Sequence, residues 1–246
     1  MALPNKPLGE LKAVRDPEVE ELEVDILIVG GGMAACGTAF EIKKWAPDKK
    51  ILLVDKAAME RSGAVAQGLS AINTYIGENT PEDYVRMVRN DLMGIVREDL
   101  IYDLGYHIDD SVHLFEEWGL PIWKMSDDGK KLDGKKGQKM GTLKSGAKPV
   151  RTGKWQIMIN GESYKRIVAE AAKTALGDDN ILERVFIVKL LLDANEENRI
   201  AGAVGFSVRE NKVYIIKCNT MTVACGGAVN VYQPRSVGEG KGRAWY

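Results

Sequence analysis

Residues 24–35 read Val-Asp-Ile-Leu-Ile-Val-Gly-Gly-Gly-Met-Ala-Ala. The short β-branched apolar run before the glycines is typical of a buried parallel strand. Apolar side chains then recur at helical spacing at Ala35, Ala39 and Ile42, and a second apolar run at 51–54 follows that helix. The pattern predicts a β–α–β unit of about thirty residues within an α/β fold.

The glycines of this unit are placed as they are in dinucleotide-binding turns. Gly30 permits a tight turn, Gly32 lets the backbone approach a pyrophosphate, and Ala35 allows helix and strand to pack closely. The helix start would bind the phosphates through its N–H groups and its dipole. Asp55, at the end of the second strand, is placed to accept hydrogen bonds from a ribose. The order of these features predicts a dinucleotide site, although the spacing does not separate NAD from FAD.

Two further stretches favour FAD. Residues 62–73 are rich in small side chains, and a late strand at 220–224 is followed by two glycines. A cofactor with a fused tricyclic ring needs a long slot lined by backbone, and glycines there remove side chains that would clash. The residues expected to bind the cofactor are Gly30, Gly31, Gly32, Met33, Ala34, Ala35, Asp55, Lys56, Ser62, Gly63, Ala66, Gln67, Gly68, Ser70, Phe186, Ala224, Cys225, Gly226 and Gly227.

The composition of the chain indicates a globular protein and excludes several kinds of partner and metal site. With 45% hydrophobic residues and a net charge of −1, the 246-residue chain is globular and has no overall attraction to nucleic acid or to an anionic membrane. Three cysteines without a CxxC pair and two histidines exclude a Cys/His zinc site and a self-contained iron–sulfur cluster, so no metal site is predicted. Sparse thiols and the lack of an apolar signal or membrane-spanning run predict a cytoplasmic location.

The chain is expected to contain an arm and one domain. Residues 1–23, rich in proline and acidic side chains, are predicted to be an extended arm, and residues 24–246 to be the α/β domain. Residues 124–154 carry ten Lys or Arg against three Asp and are predicted to be a mobile basic excursion. Helices are predicted from Thr80, over 98–118 and over 161–176, followed by antiparallel strands at 183–193, 199–209 and 212–217.

Four strings carry a resemblance to a known group of proteins. In their order, the glycine turn, the small-residue stretch and the late glycines resemble the fumarate reductase and succinate dehydrogenase class of flavoproteins. Within that class, GGGMAACGTAFEIKK, AQGLSAINTY, WQIMINGESYK and ACGGAVNVYQPRSVGEGKGRAWY are similar to the alpha subunits of the adenylylsulfate reductase family. The resemblance runs from near Val24 to Tyr246. It implies a Rossmann-like FAD-binding fold, with a parallel sheet, flanking helices and a small antiparallel hairpin region.

The resemblance also implies an FAD-dependent oxidoreductase of sulfur metabolism. Such an enzyme interconverts adenosine 5′-phosphosulfate with AMP and sulfite through a flavin N5–sulfite adduct, with electrons from an iron–sulfur beta subunit. Class members that attach FAD covalently use a histidine five residues before the Gln of AQG, where this chain has Ser62, so the FAD is expected to be noncovalent. Because the family's capping domain would follow Tyr246, the chain is expected to be an N-terminal part of a longer subunit, inactive alone.

Asn73 and Trp245 are carried over from the resemblance as catalytic residues. Asn73 is placed to bond to the flavin edge or a sulfate oxygen, or else to be a turn residue. Trp245 would stack on the isoalloxazine or adenine, or else pack. Cys225, without a basic neighbour or a second thiol, is interpreted as a small buried filler. The alternative functions are a fumarate reductase-type enzyme acting on a carbon–carbon bond and a non-catalytic Rossmann dinucleotide-binding module.

Overall fold

The computed structural model describes residues 16–74, 79–122, 151–153 and 155–227. Within these ranges the chain forms a six-stranded mixed sheet, a three-stranded antiparallel sheet and five α-helices. The strands are β1 (Glu18–Val29), β2 (Ile51–Asp55), β3 (Ala71–Asn73), β4 (Arg151–Gly153), β5 (Gln156–Met158), β6 (Ile181–Glu183), β7 (Val185–Leu192), β8 (Ile200–Ser207) and β9 (Lys212–Val223). The helices are α1 (Met33–Trp45), α2 (Pro81–Asp91), α3 (Glu98–Tyr106), α4 (Ile108–Glu117) and α5 (Gly161–Leu176), with 3-10 turns at Met59–Arg61, Ala64–Gln67 and Asp178–Asn180.

The six-stranded sheet combines a parallel and an antiparallel part. Its order is β6-β2-β1-β9-β8-β7. The pairs among β6, β2, β1 and β9 are parallel, whereas β9 with β8 and β8 with β7 form antiparallel pairs. The carboxyl ends of β1, β2 and β9 therefore meet at one edge, where ligands of open α/β sheets bind. This architecture confirms the predicted α/β fold with a parallel sheet and an antiparallel hairpin region.

Burial on both faces explains the apolar runs of the central strands. Leu27, Ile28 and Leu53 are fully buried, and α1 lies on one face of the sheet through Ala35 and Ala39. Such small side chains let a helix approach a strand closely. The predicted β–α–β unit is confirmed as β1, α1 and β2.

Helix α5 covers the same face as α1 and has the predicted limits. The side chain of Asn160 caps its start by accepting hydrogen bonds from the N–H groups of Glu162 (3.0 Å) and Ser163 (3.4 Å). Gly177 ends the helix with a φ of +80°, a conformation that favours glycine. The buried residues of α5 join the core beneath α1.

Strand β1 begins at Glu18 rather than at Val24, so residues 18–23 of the predicted arm belong to the sheet. They pair with β9, whose Lys212 binds Glu18 (3.1 Å) and Glu20 (2.5 Å). These cross-strand ion pairs explain how an acidic segment extends a strand. Residues 1–15 lie outside the described residues, and the division into an arm and a domain stays a prediction.

Two other predicted boundaries are wrong. The strands predicted at 212–217 and 220–224 are one continuous strand, β9, in which Asn219 donates to the Asp25 carboxylate (3.4 Å) instead of breaking the ladder. The helix predicted over 98–118 is two helices. Helix α3 ends at Tyr106, and the N–H of the next residue, His107, bonds to the carbonyls of Asp103 and Leu104 in a tightened turn before α4 begins at Ile108.

Most of the predicted basic excursion lies outside the described residues. Its described part, 151–153, forms β4, which pairs with β5 in the small sheet β3-β5-β4. Within the described ranges, none of the helices combines the length and the apolar character needed to cross a bilayer.

Candidate functional site

The glycine turn joins the carboxyl ends of three neighbouring strands. The N–H of Gly30 donates to the carbonyl of Val54 on β2 (2.8 Å), and the Gly30 φ is +114°. A Cβ added to Gly30 would lie 2.4 Å from the carbonyl oxygen of Ala224, just after β9. Gly30 is thus required both by its backbone conformation and by the closeness of β9.

The next two glycines meet different surroundings. A Cβ on Gly31 would lie 2.6 Å from Oδ2 of Asp55, whereas a Cβ on Gly32 would meet no atom within 4 Å. Gly32 is the N-cap of α1, with neither a side-chain cap nor an acidic residue in the first turn. The open side of Gly32 and the uncapped helix start together fit an anionic group such as a pyrophosphate.

Asp55 lies beside this turn as the last residue of β2 and is 9% exposed. Its carboxylate accepts hydrogen bonds from the Ser62 hydroxyl (3.3 Å) and from the backbone of Lys56 and Ala57. Burial raises the pKa of Asp55, while the charge of Lys165 and these hydrogen bonds oppose the rise. The structure places Asp55 beside the glycine turn, and its role as an acceptor for a ribose stays a prediction.

Two residues of α5 that the sequence reasoning missed hold the turn from inside the protein. Lys165 is 3% exposed and donates from Nζ to the carbonyl of Gly31, to which the Cys36 thiol also donates (3.6 Å). The Tyr164 hydroxyl donates to Sδ of Met33 at the start of α1 (2.6 Å). The start of α5 thus contacts the glycine turn on both sides of Gly32.

A signal for Lys165 was present in the sequence. It precedes Val168, Ala169 and Ala172, which are all fully buried, at the three-, four- and seven-residue steps of one helix face. A lysine on an apolar stripe needs a buried partner, and here that partner is the Gly31 carbonyl. Burial lowers the pKa of Lys165, opposed by the charges around it.

The small-residue stretch, residues 62–73, follows β2 in the chain and lies against the start of α5 in space. Ser62 donates to the carbonyl of Ala58 (2.7 Å), and Gly63 and Gly68 both have positive φ, +86° and +77°. A Cβ on Gly161 would lie 2.8 Å from the carbonyl carbon of Gly68, so the stretch packs directly on the first turn of α5. The other predicted residues here are Ala66 and Gln67 in a 3-10 turn and Ser70, whose carbonyl accepts from Ile159 N–H (2.9 Å).

Phe186 lies near Lys56, the residue after β2, although it comes from the antiparallel part of the sheet. The ammonium of Lys56 is 5.6 Å from the centre of the Phe186 ring, which is also edge-to-face with Phe206 at 5.8 Å. Phe186 is 40% exposed. The structure therefore brings Lys56 and Phe186 together at the end of β2.

Residues 224–227 extend β9 past the glycine turn. Ala224 N–H donates to the Val29 carbonyl (2.8 Å), and Gly226 has a φ of +84°. The interpretation of Cys225 as a buried filler is wrong, because the residue is exposed while its thiol donates to the Val29 carbonyl (3.7 Å). Partial burial and the charge of Asp55 raise the pKa of Cys225, so its thiolate is disfavoured.

The two predicted catalytic residues are not brought to the glycine turn by any described contact. Asn73 is the exposed last residue of β3, opposite Gln156 of β5, and is followed by the fully buried Thr74. Residues 228–246, which include Trp245, lie outside the described residues. Both catalytic assignments stay predictions.

In the described part of the chain, His, Cys, Asp and Glu side chains form no cluster suited to a metal ion.

Comparisons with known proteins agree with this geometry. The family described as FAD binding domain matches residues 25–242. Adenylylsulfate reductase subunit alpha of Megalodesulfovibrio gigas is 67% identical, over 99% of this chain and 37% of that relative. The structure of adenylylsulfate reductase from Archaeoglobus fulgidus is 54% identical, with a TM-score of 0.79 over 94% of this chain and 34% of that one. An adenosine-5-phosphosulfate reductase solved with sulfite as a covalent adduct is also 54% identical, with a TM-score of 0.78 over the same shares.

Proposed function

Because the chain belongs to the FAD binding domain family, we propose that it is the FAD-binding part of an adenylylsulfate reductase alpha subunit. The observation that carries this proposal is the 67% identity to such a subunit across 99% of the chain. The chain spans 37% of that relative's length, so the activity proposed is that of the whole subunit. The reaction is the two-electron interconversion of adenosine 5′-phosphosulfate with AMP and sulfite.

The residues of the site fit FAD. The uncapped start of α1 and the open side of Gly32 would hold the pyrophosphate, and the carboxylate of Asp55 would accept from a ribose hydroxyl. When bound, the flavin supplies the two-electron chemistry at sulfur. The chain's own residues bind and orient the cofactor: Lys165 and Tyr164 fix the turn, and the stretch after Ser62 forms one wall beside it. Asn73 and Trp245 are proposed to contact flavin or substrate.

The electron donor is proposed to be an iron–sulfur beta subunit, and the enzyme is proposed to be cytoplasmic. A relative named as a subunit alpha supports a second subunit. Iron–sulfur clusters are commonly held by four cysteine thiolates, whereas this chain has three cysteines, and Cys36 and Cys218 are buried. These three cysteines do not provide the four thiolates of a cluster, and the proposal places the clusters in the beta subunit.

Sulfite chemistry tests the proposed function against a fumarate reductase-type activity. Adding sulfite to the purified oxidised enzyme should bleach the flavin absorbance at about 450 nm, and AMP with sulfite should reduce an artificial electron acceptor. Fumarate, given to the same enzyme with a reduced dye, should not reoxidise that dye. Fumarate turnover without any response to sulfite would overturn the proposal in favour of the alternative.

We expect acid precipitation to release the flavin into the supernatant. Ser62 stands where a histidine would attach FAD covalently, and its hydroxyl is bonded to the Ala58 carbonyl and the Asp55 carboxylate. A serine hydroxyl held in this way provides no imidazole nitrogen for a bond to the flavin. Absorbance of the supernatant and of the redissolved pellet measures the partition. Flavin that stays with the pellet in denaturant would contradict noncovalent binding.

A further inference from the structure

We propose that Lys165 is a positioning residue for the FAD pyrophosphate, because it fixes the peptide between Gly31 and Gly32 from inside the protein. In this role Lys165 aims the Gly32 N–H at the phosphates and adds a positive charge behind them. The inference rests on the proposed FAD-binding function and assigns a specific part of it to one buried side chain.

The orientation of the peptide follows from its two donors. The Gly31 carbonyl accepts from Lys165 Nζ and from the thiol of Cys36, and both side chains are buried. The described residues contain no cis peptide bond, so the Gly31–Gly32 peptide is trans and planar. In a trans peptide the C=O and the following N–H point in opposite directions. With the carbonyl held towards α5, the Gly32 N–H points away from α5. A Cβ on the same residue would meet no atom within 4 Å, so Gly32 has room beside it for a ligand.

Packing alone does not account for a lysine at this position. Its neighbours on the same face of α5, Val168, Ala169 and Ala172, are apolar and fully buried. A buried ammonium carries a large desolvation cost, and apolar replacements of buried charges are often neutral or stabilising. A methionine would fill the same space without that cost. A lysine here is explained by what it does to the turn above it.

The charge of Lys165 also acts on Asp55, the proposed ribose acceptor. Titratable groups reach Asp55 from three elements: Lys165 from α5, Cys36 from α1 and Cys225 after β9. Lys56 contributes its backbone N–H. Burial raises the pKa of Cys36 to about 11, so that thiol stays neutral at ordinary pH. Lys165 is the charge that opposes the raised pKa of Asp55 most strongly. Its loss would leave Asp55 protonated up to a higher pH, and a protonated carboxyl is a poorer acceptor for a ribose hydroxyl.

The test uses Lys165→Met and Lys165→Gln in the purified enzyme, with the dissociation constant for FAD followed by quenching of flavin fluorescence. We expect Lys165→Met to raise that constant by about tenfold to a hundredfold, as for loss of a charged hydrogen bond. Lys165→Gln, which keeps a donor without the charge, should fall between Lys165→Met and the parent. If Lys165→Met does not fold, as judged by circular dichroism, Lys165→Gln decides the outcome.

Lys173→Met is the matched control on the same helix. Lys173 binds Glu60 and lies 3.9 Å from Glu183, but has no described contact with the glycine turn. The variant Lys173→Met removes a lysine of α5 together with two ion pairs. It therefore reports how far a general loss of stability in α5 affects FAD binding. We expect Lys173→Met to leave the dissociation constant for FAD within about twofold of the parent, because the ion pairs it removes are partly buried but do not contact the glycine turn in the described residues.

The pH profile separates positioning with charge from packing alone. As pH falls, FAD binding should weaken at a higher pH in Lys165→Met than in the parent. In the Asp55→Asn background, where no carboxyl titrates at position 55, Lys165→Met should no longer shift the pH profile. A merely structural role would weaken binding equally at every pH and would overturn the inference, as would parental affinity in Lys165→Met. Failure of the parent to bind FAD would instead overturn the proposed function, so the two failures are distinguishable.

Discussion

Gly30→Ala is expected to lower the free energy of unfolding by about 3 kcal/mol or more, even without FAD. The φ of +114° is strained for alanine, and the new Cβ would lie 2.4 Å from the Ala224 carbonyl oxygen. The backbone has no room to yield. Ala224 N–H is bonded to the Val29 carbonyl (2.8 Å), and β1 and β9 pair along their length in the middle of the sheet. Urea unfolding followed by circular dichroism measures the change.

Gly37→Ala provides the control for Gly30→Ala. Gly37 lies inside α1, its φ is not positive, and an added Cβ would meet no atom within 4 Å. Alanine is favoured over glycine in a helix by roughly 0.5–1 kcal/mol, so this variant should be slightly more stable than the parent. If Gly30→Ala unfolds at the same urea concentration as Gly37→Ala, the close contact between the turn and β9 is refuted.

Gly32→Ala is expected to have the opposite phenotype, with normal folding but weak FAD binding. The φ of Gly32 is −75°, which alanine adopts freely, and the added methyl would contact nothing in the protein. That methyl would stand on the side from which a pyrophosphate must approach. We expect the dissociation constant for FAD to rise at least about tenfold, equivalent to about 1.4 kcal/mol.

Two measurements on Gly32→Ala distinguish loss of binding from loss of folding. Its unfolding midpoint without FAD should match the parent's. At one fixed excess of FAD, the variant should be stabilised less than the parent, because the stabilisation grows with the ratio of FAD concentration to its dissociation constant. An unchanged dissociation constant would mean that the phosphates do not approach Gly32, and it would remove the ground for assigning this turn to the cofactor.

Local patterns in the sequence were sufficient where local interactions determine the structure. The limits of α5 follow from a cap at Asn160 and a positive φ at Gly177, and the β–α–β unit follows from apolar periodicity. The start of β1 was missed because its acidic residues are neutralised across the sheet by Lys212. A distant partner of this kind leaves no mark in the pattern around Glu18.

In the candidate site, too, some residues were predictable from local sequence and others depend on distant contacts. The glycines and Asp55 were predicted from their spacing, but the reason for Gly31, its closeness to the Asp55 carboxylate, needed coordinates. Lys165 was missed because a lysine in a helix is usually solvated, and only the burial of its stripe reveals an inward-pointing ammonium. The exposure of Cys225 depends on how the chain leaves β9, which composition does not specify.

The pairing of β1 with β9 also sets the order of events during synthesis. Asp25 and Asn219, bonded across these strands, are 194 residues apart in the chain. At roughly 5–20 residues per second, β1 leaves the ribosome roughly ten to forty seconds before its neighbour. During that interval β1 lacks its β9 partner, and an unpaired strand edge is a site at which other chains can pair. The glycine turn, whose Gly30 packs against Ala224, is therefore completed only after β9 has been made.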